Sequence, residues 1–308
     1  MDYLFPEGIE VMKPAPFTYI APGSLQEALE AMRHYGEDAR LLAGGQSLLA
    51  GMNFRELKPR VLIDLNRLPD LAYVRHEPDD DVRIGAMTRQ RVLEQDPIVR
   101  RELPLMHEAI PYIAHVAIRT RGTIGGSLAY ADPAADQPTI TLALGARVKA
   151  VSLSGVRWIA LDDLFVDSFR TALNRDEILV EIAIPPIGPG IGWGFEEIAR
   201  RHGDRVMMGV STLVTLDEAG VCRAARLAYQ NAAPTPRLAR GAARLLVGRK
   251  PSPALCAEAA EMAAQGELDP PTDVHGTAEY RRHLARELTL RTLKLAFERA
   301  RSTGGGSP

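Results

Sequence analysis

Between residues 24 and 35 the apolar positions recur at helical spacing. Leu25, Ala28, Leu29 and Met32 form one stripe, Ser24 and Glu27 make a capping box, and Gly36 stops the run, so the pattern predicts a helix. Downstream the period shortens. Residues 40–43 and 61–64 read as short strands, and 73–75 and 82–85 as a hairpin turning at Asp79-Asp80-Asp81. Residues 104–121 hold a helix, and 134–144 hold another that Gly145 stops. Residues 148–153 and 156–159 alternate around Ser154-Gly155 as a second hairpin. After Asn174-Arg175-Asp176 the texture changes. Residues 178–184, 194–200, 210–216 and 221–229 read as closely spaced strands, with a turn at 217–220, which is the pattern of an antiparallel meander. Ser252, Pro253 and Gly266 cap, start and stop a helix. Residues 278–301 form a long arginine-rich helix with Leu284, Leu288, Leu295 and Ala296 on its apolar side. The class is α+β: an N-terminal domain over 1–174, a sheet-and-helix domain over 175–302, and a glycine-rich tail over 303–308 expected to be disordered.

Composition narrows the function classes. A chain of 308 residues with 46% apolar and 25% charged side chains is an ordinary globular protein with room for two domains. A net charge of −2 gives no electrostatic case for nucleic acid or an acidic membrane. No apolar run approaches the roughly 18 residues of a membrane span. No secretory signal is visible at the start, so a cytoplasmic protein is expected. Cys222 and Cys256 are the only cysteines, too few for an iron–sulfur cluster held by four thiolates, and both read as reduced thiols. The scattered histidines make no metal-ligand spacing, so no metal is expected on this chain.

The candidate chemistry lies in two glycine-rich segments. One is Leu41-Leu42-Ala43-Gly44-Gly45-Gln46-Ser47-Leu48. The other is Thr123-Ile124-Gly125-Gly126-Ser127, followed by a run that ends at Asp136. Glycine admits positive φ and close approach of a ligand to the main chain, and successive free amides in such a turn form a concave anion site. Two of them converging would suit a diphosphate, although either alone is also what an ordinary tight turn looks like. Asp132 and Asp136 stand at a helix start, where free N–H groups favour carboxylates. A third glycine run, Gly188-Pro189-Gly190-Ile191-Gly192-Trp193-Gly194, lacks the strand before and helix after that a dinucleotide fingerprint needs, and reads as a loop between strands.

With their flanking residues, the two segments resemble the FAD-binding medium subunits of molybdenum hydroxylases, such as those of carbon monoxide dehydrogenase and quinoline 2-oxidoreductase. The resemblance runs nearly end to end. It includes Pro16-Phe17, Tyr19, Phe54-Arg55, Leu62-Ile63-Asp64-Leu65 and Ile84-Gly85-Ala86-Met87-Thr88. Later come Glu177-Ile178-Leu179, Ala199-Arg200-Arg201-His202-Gly203-Asp204 and Glu279-Tyr280-Arg281. It implies an FAD-binding domain of the vanillyl-alcohol-oxidase type, made of two α+β subdomains, and a CO-dehydrogenase-flavoprotein-like C-terminal domain. The flavin would lie between them.

By that resemblance, Leu41, Leu42, Ala43, Gly44, Gly45, Gln46, Ser47 and Leu48 hold the pyrophosphate through amides and the Gln46 and Ser47 side chains. Thr123, Gly125, Gly126 and Ser127 supply the second contact, with Ser127 where xanthine-oxidising relatives have asparagine. Ile113 stands where those relatives place an aromatic, Leu179 matches a leucine near the ring, and Asp136 bonds the flavin. Phe195 and Glu196 align with a region that faces the isoalloxazine, Glu196 replacing a lysine. No histidine or cysteine stands in a flavinylation context, so the FAD is expected to be non-covalent. The implied circuit starts at a molybdenum cofactor on a large subunit and passes through two [2Fe-2S] clusters on a small subunit. It reaches FAD here and leaves to an external acceptor, in a dimer of heterotrimers. Residues for substrate hydroxylation would then be absent from this chain. An independent FAD oxidoreductase of the same domain type is the alternative. A scaffold that has lost its flavin fits poorly with two intact turns.

Overall fold

The computed structural model describes residues 13–76 and 80–304. Its first layer is a three-stranded parallel sheet, ordered Thr18–Ile20, Val61–Asp64, Ala39–Leu42. The helix Leu25–Tyr35 covers it and buries Ala28 and Leu29 against Val61, Ile63 and Leu65. Ser24 caps this helix by accepting from the Glu27 amide at 3.2 Å. The Glu27 carboxylate returns to the Gly23 amide at 2.8 Å, one residue before the capping-box position. Gly36 ends the helix at φ 51°.

The second layer is a five-stranded antiparallel sheet, ordered Val74–Arg75, Val82–Gly85, Ile178–Ile184, Arg147–Ser152, Gly155–Ala160. Helices Pro104–Ala109, Ile124–Tyr130 and Asp136–Ala143 bury one face of it, joining Ile84, Ile182, Ile184 and Val148 in one core. The strand Ile178–Ile184 therefore does not open the C-terminal meander, as its position after residue 174 suggested. It is the central strand of this sheet, and its nearly continuous apolar run reflects burial on both faces. The turn expected at 79–81 begins at Asp79, outside the described residues, but its flanking strands do pair. The helix expected over 104–121 is broken into three short pieces. Pro111 has no amide to donate, and Ala114 takes φ 42°.

The third layer is an antiparallel meander of Ile191–Ala199, Val206–Leu216, Cys222–Gln230 and Arg237–Leu238. The long helix Ala278–Gly304 lies across it. A Cβ on Gly194 would come within 2.5 Å of the Thr292 carbonyl, and one on Gly192 would strike the Ala296 carbonyl. These two glycines are strand residues that let helix and sheet backbones touch; the loop expected there ends at Gly190. The helix buries Ala285, Leu288, Leu293, Ala296 and Phe297, while Leu295 is only half-buried. Its buried hydroxyls find partners on the sheet, Thr292 with Thr212 at 2.9 Å and Thr289 with Tyr229 at 2.7 Å. Thr303 and Gly304, assigned to the tail, continue this helix, and residues 305–308 lie outside the described residues. Ser252 caps Pro253–Glu261 as expected, but the chain runs past Gly266 in a π-helical turn, Met262–Glu267. The other face of the meander carries Phe195 and Ala228 into the core of the second layer, so the two domains share a seam.

Candidate functional site

The strand Ala39–Leu42 delivers the chain into the first glycine turn. Gly45 takes φ 75°, which only glycine adopts freely, and the helix Leu48–Asn53 begins three residues later. Among the described residues, no acceptor meets the amides of Gly44, Gly45, Gln46 or Ser47. Gln46 and Ser47 are exposed, and the Gln46 amide group folds back to donate to the Gly44 carbonyl at 3.0 Å. Leu41, Leu42 and Leu48 are half-buried around the turn. The turn thus presents a row of open amides on its surface.

The second turn is built differently. The hydroxyl of Thr123 accepts from the Gly126 amide at 3.1 Å. The Ile124 amide donates to Thr88 O at 3.2 Å, Gly125 to Ala86 O at 2.9 Å and Ser127 to Thr123 O at 3.1 Å. All four amides are taken, so the expected second nest of free N–H groups is not there. These glycines serve close approach instead. A Cβ on Gly126 would lie 3.4 Å from Ala43 Cβ, and one on Gly44 would lie 2.6 Å from Arg121 O and 2.7 Å from Gly122 Cα. The two turns thus meet backbone against backbone.

Two side chains that sequence reasoning missed lock this contact. Asn66 donates from Nδ2 to Ala43 O at 2.9 Å, and Arg89 forks between Asn66 Oδ1 and Arg121 O. Neither residue stands in a motif; only the fold brings them to the seam. Burial and the neighbouring Arg121 hold the Arg89 pKa below its usual value, so positive charge is already crowded beside the open amides. An anion there would relieve that crowding.

The remaining candidates line the junction of the two domains. Ile113, Leu179 and Phe195 are buried in the shared core. The loop holding Ile113 is fixed by buried Arg119, which donates to Ile113 O at 2.8 Å and to Glu94 at 2.9 Å. The Tyr112 ring meets Phe195 edge-on at 5.2 Å and His202 at 5.6 Å. Ser127 is half-buried. Asp136, at the start of its helix, accepts from Gln230 Nε2 at 3.0 Å. Asp132 instead pairs with Arg205 at 3.2 Å. Glu196 does not share a face with Phe195. Strand alternation turns it towards Arg291, at 3.4 Å, and it is Glu197 that meets Asp136. Among the described residues no cluster of histidine, cysteine and carboxylate could hold a metal ion, and no helix is long and apolar enough to cross a membrane.

An open row of amides, a closed glycine seam behind it and an apolar junction between two domains suit a long ligand with a diphosphate and a flat ring. A family profile described as the FAD-binding domain in molybdopterin dehydrogenase matches residues 15–187. The chain belongs to this family, as one of the medium subunits of the molybdenum hydroxylases. A second profile, the CO dehydrogenase flavoprotein C-terminal domain, matches residues 193–296. The step between the two profiles falls after Ile184, where the five-stranded sheet ends and the meander begins. The chain is 43% identical to the 6-hydroxypseudooxynicotine dehydrogenase complex subunit alpha of Paenarthrobacter nicotinovorans, over 95% of this chain and 98% of that protein. Among solved structures it is similar to a chain of carbon monoxide dehydrogenase from Hydrogenophaga pseudoflava, with a TM-score of 0.90 and 37% identity over 93% of this chain and 99% of that one. Quinoline 2-oxidoreductase from Pseudomonas putida 86 gives 0.86 and 34%, over 95% and 99%. The medium subunit described here is thus the flavoprotein component of a molybdenum-dependent oxidoreductase.

Proposed function

We propose that this chain binds one FAD non-covalently along the seam between its two glycine turns and is the electron exit of its complex. The observation that carries the reading is the row of amides without acceptors at residues 44–47, backed by Arg89 and held against the second turn. In this reading the Gly44–Ser47 amides and the Gln46 and Ser47 side chains hold the pyrophosphate. Gly125 and Gly126 keep the seam closed, Thr123 holds their turn through the Gly126 amide, and the half-buried Ser127 hydroxyl faces the ligand. Ile113 and Leu179 flank the ring and exclude water. Asp136 bonds the ring's polar edge. The bound flavin supplies the switch between one-electron and two-electron transfer. The chain positions and insulates it.

The partners follow from the same reading. A large subunit carries the molybdenum cofactor and oxidises the substrate, and a small subunit carries two [2Fe-2S] clusters that deliver electrons here. An external acceptor removes them. The assembly is a dimer of such heterotrimers in the cytoplasm. A test is to empty the flavin site and watch both halves of the reaction. In a complex with a disrupted 43–47 turn, substrate should still bleach the iron–sulfur absorbance in a stopped-flow trace, while turnover with the natural acceptor collapses. Clusters that no longer bleach, with molybdenum and iron intact, would place the flavin upstream and overturn the circuit. A catalytically competent homo-oligomer free of iron and molybdenum would favour an independent flavoenzyme.

A further inference from the structure

At the domain seam three side chains from three elements form a small polar cluster, of which the flavin-binding reading uses only Asp136. Asp136 comes from the start of the helix Asp136–Ala143, Glu197 from the strand Ile191–Ala199, and Gln230 from the strand Cys222–Gln230. Gly209 lies between the last two in the sheet, opposite Glu197 on one side and Gln230 on the other. A Cβ at Gly209 would sit 2.6 Å from Gln230 Oε1, so its absence leaves room for the glutamine to reach across the sheet.

The hydrogen-bond accounting of this cluster does not close with both acids ionised. Gln230 spends both amide hydrogens, one on Asp136 Oδ1 at 3.0 Å and one on Ala134 O at 3.2 Å. Gln230 Oε1 and Glu197 Oε2 are buried and have no partner among the described residues. Two carboxylates and a spent amide offer acceptors and no donor. The surrounding charges do not compensate. Glu196 faces the other way to Arg291 at 3.4 Å, and Arg205 is held by Asp132 at 3.2 Å. Along the seam, Tyr112 meets both Phe195 and His202 edge-on. A proton on one carboxyl supplies the missing O–H donor. The helix start favours the anion on Asp136, which leaves the proton on Glu197.

We propose that Asp136 and Glu197 share a single proton at neutral pH, and that Glu197 is a positioning residue that fixes Asp136 against the ligand cleft. The second half rests on the FAD-binding reading above; the first half does not. Burial, with the charge and the hydrogen bond of Asp136 behind it, pushes the Glu197 carboxyl up to about 10. The sign follows. The folded chain holds a proton that the unfolded chain has already released, so stability falls as pH rises from neutral towards that value.

The full chain stripped of flavin tests the proton directly. Its infrared spectrum at mildly alkaline pH should contain the carbonyl stretch of a protonated carboxylic acid, and Glu197→Gln should remove it. The variant should also lose stability less steeply with pH than the wild type. If Glu197→Gln does not fold, Asp136→Asn serves instead, and should move the loss of the band to lower pH. A wild-type chain without the band, or a Glu197→Gln chain that keeps it, overturns the shared proton. Flavin affinity tests the positioning role. It should weaken several-fold from neutral to alkaline pH in the wild type and stay flat in Glu197→Gln. An equal pH dependence in both overturns that role. A chain that binds no FAD at any pH would fail the functional reading instead, and the infrared result would still decide the proton.

Discussion

At Gly44-Gly45 the backbone leaves its amides without acceptors and the following Gln46 and Ser47 exposed, whereas at Gly125-Gly126 both amides are taken, by the Ala86 carbonyl and the Thr123 hydroxyl. The dipeptide is the same and its work is different. The first pair needs glycine for conformation as well as approach, since Gly45 sits at φ 75° and a Cβ on Gly44 would meet Arg121 O at 2.6 Å. The second needs glycine for approach, since Gly125 lies with its Cα so near Ala86 that a Cβ would meet Ala86 Cβ at 2.5 Å and Ala86 O at 2.7 Å. One turn therefore presents open amides and the other supports it from behind. A substitution in each should separate ligand loss from fold loss.

The larger effect belongs to the closed turn. Gly125→Val forces a side chain into backbone that has nowhere to go, and overpacking costs about 1–3 kcal/mol and more where backbone must move. Because Gly125 also ties the helix Ile124–Tyr130 to Ala86, the expected outcome is a steep fall in melting temperature and soluble yield, with flavin lost as a consequence. A variant that melts like the wild type would show that this turn yields easily and is not the rigid wall described here. Next comes the open turn. Gly45→Val should leave a soluble, folded chain that carries no flavin, because the left-handed backbone disfavours valine and its Cβ would press on Leu49 and Leu42, shifting the turn and its amides. Its melting temperature should fall by the lost ligand stabilisation, roughly 2.7 kcal/mol at a hundredfold excess over Kd. Normal flavin content in that variant would make the first turn an ordinary connection.

The sequence carried unequal shares of this contrast. It shows both glycine pairs, and the strand Val61–Asp64 falls where the apolar run ends. It does not show which amides are free. That depends on Thr88 and Ala86, which offer their carbonyls from the turn after the strand Val82–Gly85, a segment that only the fold brings alongside. The same limit explains Ile178–Ile184. An apolar run gives a buried strand, but its neighbours are set by a register across the chain, so its place at the centre of the five-stranded sheet was not readable. Gly192 and Gly194 looked like loop residues because composition cannot distinguish a glycine that turns from one that admits a helix. Glu197, by contrast, was within reach. Strand alternation puts it on the same face as Phe195, and applying the period of two there would have selected it over Glu196.

A third test concerns what joins the turns. Arg89 is the fork between Asn66, which holds Ala43 O, and the carbonyl of Arg121. Arg89→Ala should leave both turns formed but loosely coupled, and remove a positive charge from beside the amides. Losing charged hydrogen bonds of this kind costs about 1.5–3 kcal/mol, so flavin should bind some tenfold to a hundredfold more weakly. Arg89→Lys keeps the charge without the planar fork and should recover only part of the affinity. Full recovery with lysine would mean that the charge matters and the bridge between the turns does not.

The smallest expected effect is at Gln46, and it sharpens the comparison most finely. Its side chain is exposed and bonded only to the Gly44 carbonyl within its own turn. That bond steadies the turn, and the family resemblance makes the same amide group a pyrophosphate contact. Either role is worth about 0.5–1.5 kcal/mol, as for an ordinary neutral hydrogen bond. Gln46→Ala should therefore weaken flavin binding a few-fold by titration of the stripped chain, and lower the melting temperature of that stripped chain only slightly. Gln46→Glu separates the two roles. A carboxylate there cannot donate to Gly44 O and would repel a diphosphate, so affinity should fall further than with alanine. If glutamate and alanine weaken binding equally, Gln46 acts only within its turn and the diphosphate is held by the amides of residues 44–47 alone.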